Sequence, residues 1–314
     1  MKAMPATILD TIGGTPLIPL RRIAPATGAR ILLKVESANP TGSMKDRMAL
    51  AMIGAAEADG RLPPGGAVVE YTGGSTGVSL ALVCAVKGHP LHIVTSDAFA
   101  REKLDHMRIL GARLDVIPSE SGRMTEKLTR DMIAAAGGIA GRIGAFATDQ
   151  MRNTDQLAAY RRMAAEIDAQ AGGPVAAFVQ AVGTAASLRG IGAALRATQP
   201  GIRIVAVEPA ESAVLSGGPT GAHRIDGIGA GYVVPLWHPD IADAIEPVAT
   251  PEAQAMALRL AREEGLFAGS STGANVVAAL RVAARLGPAA TVVTVMCDTG
   301  MKYLGTLGPL AAAA

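Results

Sequence analysis

The sequence predicts an α/β protein made of two doubly wound domains with mostly parallel sheets. Three observations predict it. Short β-branched runs alternate with alanine-rich stretches of helical length along most of the chain. Several of those runs lead straight into glycine-rich turns that open a helix, the junction typical of such sheets. The chain has 314 residues, 49% of them apolar, enough to bury two cores.

Strands are expected over residues 30–35, 67–71, 91–95, 113–117, 176–181, 202–207 and 291–296. Valine and isoleucine dominate them, as in strands covered by helices on both faces. Helices are expected over 44–58, 77–87, 100–110, 155–169, 187–198, 251–264 and 274–286. The terminal AAAA is expected to fray.

Composition excludes several classes. A net charge of +2, with no basic block, leaves no footprint for nucleic acid. No apolar run approaches the roughly 18 residues of a membrane helix, and MKAMPATILD lacks the core of a signal peptide. Cys84 and Cys297 stand far apart, without metal-ligand or redox spacing, and read as small buried hydrophobes. The five histidines show no metal spacing either. These features predict a cytoplasmic protein with no metal, nucleic-acid or membrane partner.

Three turns follow strands and open helices: EYTGGSTGVSL, QAVGTAASLRG and GLFAGSSTGAN. Such junctions point free N–H groups and a positive helix end away from the sheet, which suits an anionic ligand. Residues 176–208 imitate a nicotinamide site, with an acid, Glu208, at the end of the second strand. The turn, however, reads G-T-A-A-S and lacks the G-x-G-x-x-G fingerprint. It suits one phosphate, held by backbone amides and the hydroxyls of Thr184 and Ser187.

The stretch ESANPTGSMKDR places Lys45 in the first turn of a helix, with Ser43 as the expected cap. A cation there opposes the helix dipole. Lys45 reads either as half of a charge pair with Asp46 or as an amine held for chemistry. Lysine forms imines with aldehyde cofactors. An aldehyde anchored by a phosphate is pyridoxal 5′-phosphate, whose ring is an electron sink.

With these pieces assembled, the chain resembles the cysteine synthase (O-acetylserine sulfhydrylase) and cystathionine β-synthase family, the fold type II pyridoxal phosphate enzymes with a tryptophan synthase β-like fold. The resemblance runs from IGGTPLIPL to DTGMKYLGT, and NPTGSMKDR, GGSTG, HRIDGIGAGYV and EEGLFAGSSTGAN carry it. It implies a larger cofactor-binding domain of residues 1–40 and 149–314 and a smaller mobile domain of 41–148. It implies that Lys45 is the Schiff-base lysine and the base that takes the α-proton. It also implies that Thr72, Gly73, Gly74, Ser75 and Thr76, with Gln150, grip the substrate carboxylate. Gly183, Thr184, Ala185, Ala186 and Ser187 match the phosphate loop, and Gly229 is central to a glycine segment, 227–231, near the cofactor. The implied reaction is β-replacement on an activated L-serine through an aminoacrylate, with sulfide or a thiol as nucleophile. A homodimer and serine acetyltransferase are the implied partners.

Three departures qualify the carry-over. The family's T-S-G-N-T-G is here T-G-G-S-T-G: Ser75 replaces the asparagine expected at the ring oxygen, and Gly73 replaces a serine, which opens room. Ala185 and Ala186 replace two glycines, harmless at negative φ and strained otherwise. In CDTG, either Asp298 or Thr299 faces the pyridine nitrogen, with Thr299 taken as the contact and Asp298 as a neighbouring cap or pair. A carboxylate there would deepen the electron sink. These departures keep β-elimination, as in a cysteine desulfhydrase or a serine/threonine dehydratase, as the alternative. A non-catalytic binding protein is the minor alternative. No added haem-binding or regulatory segment is visible, which tilts against an elaborate cystathionine β-synthase. His223 and the 101–103 charge cluster are expected at the surface. Asp226, where relatives often carry glutamine, hints at altered substrate handling.

Overall fold

The computed structural model describes residues 5–24, 28–120, 122 and 125–313. Its strands are β1 (Leu17–Pro19), β2 (Arg30–Val35), β3 (Val68–Tyr71), β4 (Leu91–Ser96), β5 (Arg113–Ile117), β6 (Phe146–Ala147), β7 (Ala177–Ala181), β8 (Arg203–Pro209), β9 (Ala244–Val248) and β10 (Thr291–Met296). Its helices are α1 (Lys45–Ala58), α2 (Ser75–Lys87), α3 (Arg101–Ile109), α4 (Glu126–Ile143), α5 (Gln156–Gln170), α6 (Ala186–Thr198), α7 (Thr250–Arg259), α8 (Ser270–Arg285) and α9 (Leu304–Ala313). The chain divides into two units, Met1–Ile12 with Asn39–Gln156 and Gly13–Ala38 with Leu157–Ala314.

The smaller unit holds a sheet of four parallel strands in the order β5-β4-β3-β6. Val69 and Val94 from that sheet pack with Leu128, Met132, Ala136 and Ile139 of α4, one buried apolar stripe at helical spacing. The larger unit holds six strands in the order β1-β2-β10-β7-β8-β9. Only β1 runs antiparallel there. Its core joins strand residues such as Ile31, Val179 and Val292 to the alanine-rich face of α8, where small side chains let helix and sheet approach closely.

Central strands match the expectation closely, and β2, β5 and β10 match it to the residue. Three strands were not expected: β1, β6 and β9. Pro19 closes β1 and Pro247 interrupts β9; both strands lie at a sheet edge, where a missing N–H is tolerated. Helix α4 contains Gly137, Gly138 and Gly141, which conceal it from propensity. Residues 311–313 continue α9 rather than fray. Residues 260–264, expected as ordinary helix, form a π-turn after α7. Cys84 is buried, and burial pushes its thiol up to about 12. Cys297 is only half-buried, because it follows β10 where the sheet gives way to the next turn. Among the described residues no helix is long and apolar enough to cross a membrane, and no group of metal-ligating side chains is present.

Candidate active site

In the smaller unit the approach to α1 is a tight turn. Gly42 takes φ 72° and its amide donates to Asn39 O at 2.7 Å. Met44, not Ser43, flanks the helix, which begins at Lys45. Ser43 still contributes, since its Oγ accepts from the Lys45 amide at 3.2 Å. Buried Asp46 accepts from Thr41 N at 2.8 Å, Thr41 Oγ1 at 2.5 Å and Ser79 Oγ of α2 at 2.6 Å. Its charge therefore ties the turn and two helix starts together, more than the simple surface pair the sequence allowed. Lys45 itself is half-buried.

A second lysine shows what a structural cation looks like in this chain. Lys34, fully buried in the larger unit, donates to Thr15 O at 2.7 Å, Gln170 Oε1 at 2.9 Å and Glu166 Oε2 at 2.7 Å. Three ammonium protons meet three acceptors.

The turn after β3 gathers most of the expected carboxylate-binding residues. Thr72 Oγ1 accepts from Gly74 N at 3.2 Å, and α2 then starts at Ser75, two residues earlier than expected. Thr76 Oγ1 donates to Gln150 Oε1 at 2.7 Å, so residues 74 positions apart meet. Gln150 Nε2 also reaches Tyr71 O at 3.5 Å. Gly73 does not open room. A Cβ built there would lie 1.8 Å from two carbons of the Phe99 ring, which occupies that space from the β4–α3 connection.

Beneath this turn lies a residue that sequence reasoning missed. Glu70, buried at the end of β3, accepts from Tyr71 N at 3.0 Å, Thr148 Oγ1 at 2.7 Å and Gln150 N at 3.0 Å. Burial raises its carboxyl to about 7 against the lowering effect of those bonds. The available signal was a lone acid in an otherwise apolar strand, VVEY.

In the larger unit β7 ends in the expected phosphate turn. A Cβ at Gly183 would lie 2.5 Å from Gly227 O, so only glycine allows the glycine segment to approach. Gly229 N donates to Val182 O at 3.0 Å, which docks the same segment on the strand end. Ala185 takes φ 69°, the strained alternative, while Ala186 begins α6. Thr184 Oγ1 accepts from Ala186 N at 3.4 Å and Ser187 Oγ from Gln180 Nε2 at 2.9 Å. Both hydroxyls thus take an N–H from the protein and keep their own proton to donate.

Around that turn, the half-buried His223 contacts Gly229 O through Nε2 at 2.9 Å, and its Nδ1 accepts from Ile225 N at 3.3 Å. It braces the glycine segment instead of standing at the surface. Lys103 is likewise buried, unlike the solvated charges expected over 101–103. Asp298 is buried and accepts from Tyr303 Oη at 2.6 Å. Thr299 Oγ1 caps the following 3₁₀ turn by accepting from Met301 N at 3.3 Å.

A family model described as pyridoxal-phosphate dependent enzyme matches residues 8–298. The chain belongs to that family. It is 37% identical over 304 residues to a cysteine synthase of Staphylococcus aureus, covering 95% of each chain. Among solved structures it superposes on an O-ureido-L-serine synthase with TM-score 0.91 at 36% identity, covering 97% of this chain and 95% of that one. It superposes equally on O-acetylserine sulfhydrylase isoform 3 of Entamoeba histolytica, TM-score 0.91 at 37% identity, covering 97% and 91%. The fold is therefore that of the fold type II enzymes, and the cofactor is pyridoxal phosphate.

The family's cofactor can be tested against the residues present. The 183–187 turn has a glycine that a side chain would block, a helix start and two hydroxyls with protons to give, which is donor chemistry suited to a phosphate dianion. Lys45, unlike Lys34, is not sunk in a strand but opens a helix. The residues fit.

Proposed function

We propose that this enzyme catalyses β-replacement on an activated L-serine, such as an O-acetylserine, with sulfide or a thiol, forming L-cysteine or an analogue. The Thr76–Gln150 bond over the 72–76 turn is the observation that carries this reading, because it assembles a compact donor set for an amino-acid carboxylate. Lys45 Nζ would hold the cofactor covalently, and the 183–187 turn would hold its phosphate. The bound ring supplies an electron sink for the bond changes at the substrate α- and β-carbons. Lys45 Nζ, at the first residue of α1, would be the base that takes the substrate α-proton. Amides of the 72–76 turn orient the carboxylate, and the Phe99 ring keeps water from one side of that turn.

A second reading, β-elimination, draws support from Asp298, a buried carboxyl bonded to Tyr303 in the stretch matched to the pyridine-nitrogen contact. Thr299 Oγ1 accepts from Met301 N and keeps its own proton to donate, so it is the contact under the replacement reading. Mixing the protein with O-acetylserine and following the cofactor spectrum separates the readings. A long-lived new absorbance that collapses on adding sulfide, with cysteine formed, supports replacement. Steady pyruvate and ammonia release without it supports elimination. Borohydride reduction followed by peptide mass spectrometry should fix the cofactor on Lys45. A cofactor found on another residue, or none, removes the whole scheme.

The proposal extends to a homodimer, to serine acetyltransferase as a protein partner and to a cytoplasmic setting. Size-exclusion chromatography with and without the acetyltransferase tests the first two.

A further inference from the structure

Gln150 is held from below as well as from Thr76. Asp149, just before it, takes φ 42°, an uncommon conformation for a residue with a side chain. That reversal brings the Thr148 hydroxyl and the Gln150 amide onto the same oxygen, Glu70 Oε2, at 2.7 and 3.0 Å. Glu70 Oε1 takes the Tyr71 amide at 3.0 Å. Gln156 Nε2 adds a bond to Gln150 O at 2.7 Å. Gln150 is therefore fixed at its amide, its carbonyl and its side chain, and the amide's partner is a buried carboxyl.

We propose that Glu70 is the positioning residue of the carboxylate-binding turn: ionised, it holds Tyr71 and Gln150 in the geometry that receives the substrate carboxylate, and protonated, it loosens that hold. This rests on the reading of the 72–76 turn and Gln150 given above. The physical reason is acceptor count. An ionised carboxyl only accepts, and here three donors converge on it. Once protonated, one oxygen becomes a donor facing an N–H or O–H, and the bonds that remain lose their charge assistance. Burial and the neighbouring negative charge of Asp149 raise the Glu70 carboxyl to about 7, so both forms are populated near neutrality. Its strand neighbour across the sheet, Ile93, carries no charge. Like-charge repulsion between Glu70 and the bound carboxylate acts in the opposite direction, so the sign of the pH dependence decides between the two effects.

The test is calorimetric titration of L-alanine into the holoenzyme, for the wild type and Glu70→Gln, between about pH 6 and about pH 8.5. The ratio of the two dissociation constants at each pH cancels the proton steps common to both proteins. The expected wild-type advantage is about tenfold at the alkaline end and shrinks to under about threefold at the acid end. A constant ratio, or one that grows toward acid, would overturn the proposal. Thr148→Val, which removes one donor to Glu70, should move the midpoint of the affinity profile to higher pH, while Thr148→Ser leaves it in place. An unmoved midpoint in the valine variant also overturns it, and this pair decides the matter if Glu70→Gln does not fold. Gln150→Ala separates the two levels. If it binds L-alanine as tightly as wild type, the carboxylate-turn reading fails and takes this proposal with it. If it weakens binding while Glu70→Gln does not, only the role of Glu70 fails.

Discussion

The 72–76 turn and the 183–187 turn are the same device, a strand running through a tight turn into a helix start, yet they absorb their unusual residues differently. In the first, a side chain is missing at Gly73, and Phe99, 26 positions onward, fills the space. In the second, a side chain is present at Ala185, and the cost stays where it arises, in a left-handed backbone. Lost volume can be replaced by a distant residue, because packing is indifferent to chain order. Backbone strain cannot be shared in that way, because it belongs to one φ angle. The first turn also stands on a buried acid, Glu70, which couples it to pH.

Four experiments bear on that contrast. The largest effect concerns the acid. Glu70 binds its proton more tightly in the folded chain, at about 7 against an ordinary 4.5. The folded state thus holds more protons between those values, and stability present below 4.5 is lost as pH rises through 7. The loss amounts to roughly 3 kcal/mol from this group alone. Urea midpoints at about pH 5 and about pH 8 should show it, and Glu70→Gln should flatten the slope. Glu252 acts with the opposite sign: the Ala249 amide and Arg281 hold its carboxyl low, so its contribution is lost only in acid, outside this window.

Next is Gly73→Ser, whose side chain must expel the Phe99 ring, at a cost of about 2–3 kcal/mol. Adding Phe99→Ala should recover more than half of that in thermal melts. If the double variant is no better than the single one, Phe99 is not what fills the space. Gly183→Ala pushes on Gly227 O in the other turn, and cofactor affinity measured by equilibrium dialysis should fall by about 30-fold, or about 2 kcal/mol. The smallest effect is a gain. Ala185→Gly relieves a left-handed alanine and should raise stability by about 1 kcal/mol, a few degrees in melting temperature. A loss there would mean that Ala185 is not strained and that the contrast between the turns does not hold.

Much was legible in the residues. NPTGSMKDR and the 183–187 turn marked Lys45, Gly183 and Ser187 as candidates, because a tight turn before a helix needs particular residue types within a few positions, and the family resemblance added Thr72 and Thr76. The central strands were legible because burial on both faces leaves a short, mostly apolar and β-branched run. The edge strands β1 and β9 were not, since an edge position permits the prolines that sequence reading takes as breakers. Asp298 and Thr299 were adjacent candidates for one role, and only the fold separated their bonds, giving Tyr303 to one and a turn cap to the other.

The sequence by itself determined the alternation of strands and helices, the turns that end them and the lysine that opens α1, since each depends on neighbours within a single turn or strand. Tertiary structure alone decided that Phe99 covers Gly73, that Thr76 meets Gln150 and that Glu70 receives Thr148. Those partners lie 26, 74 and 78 positions apart, and a hydrogen bond or a ring contact depends on distance in space, about which chain order is silent.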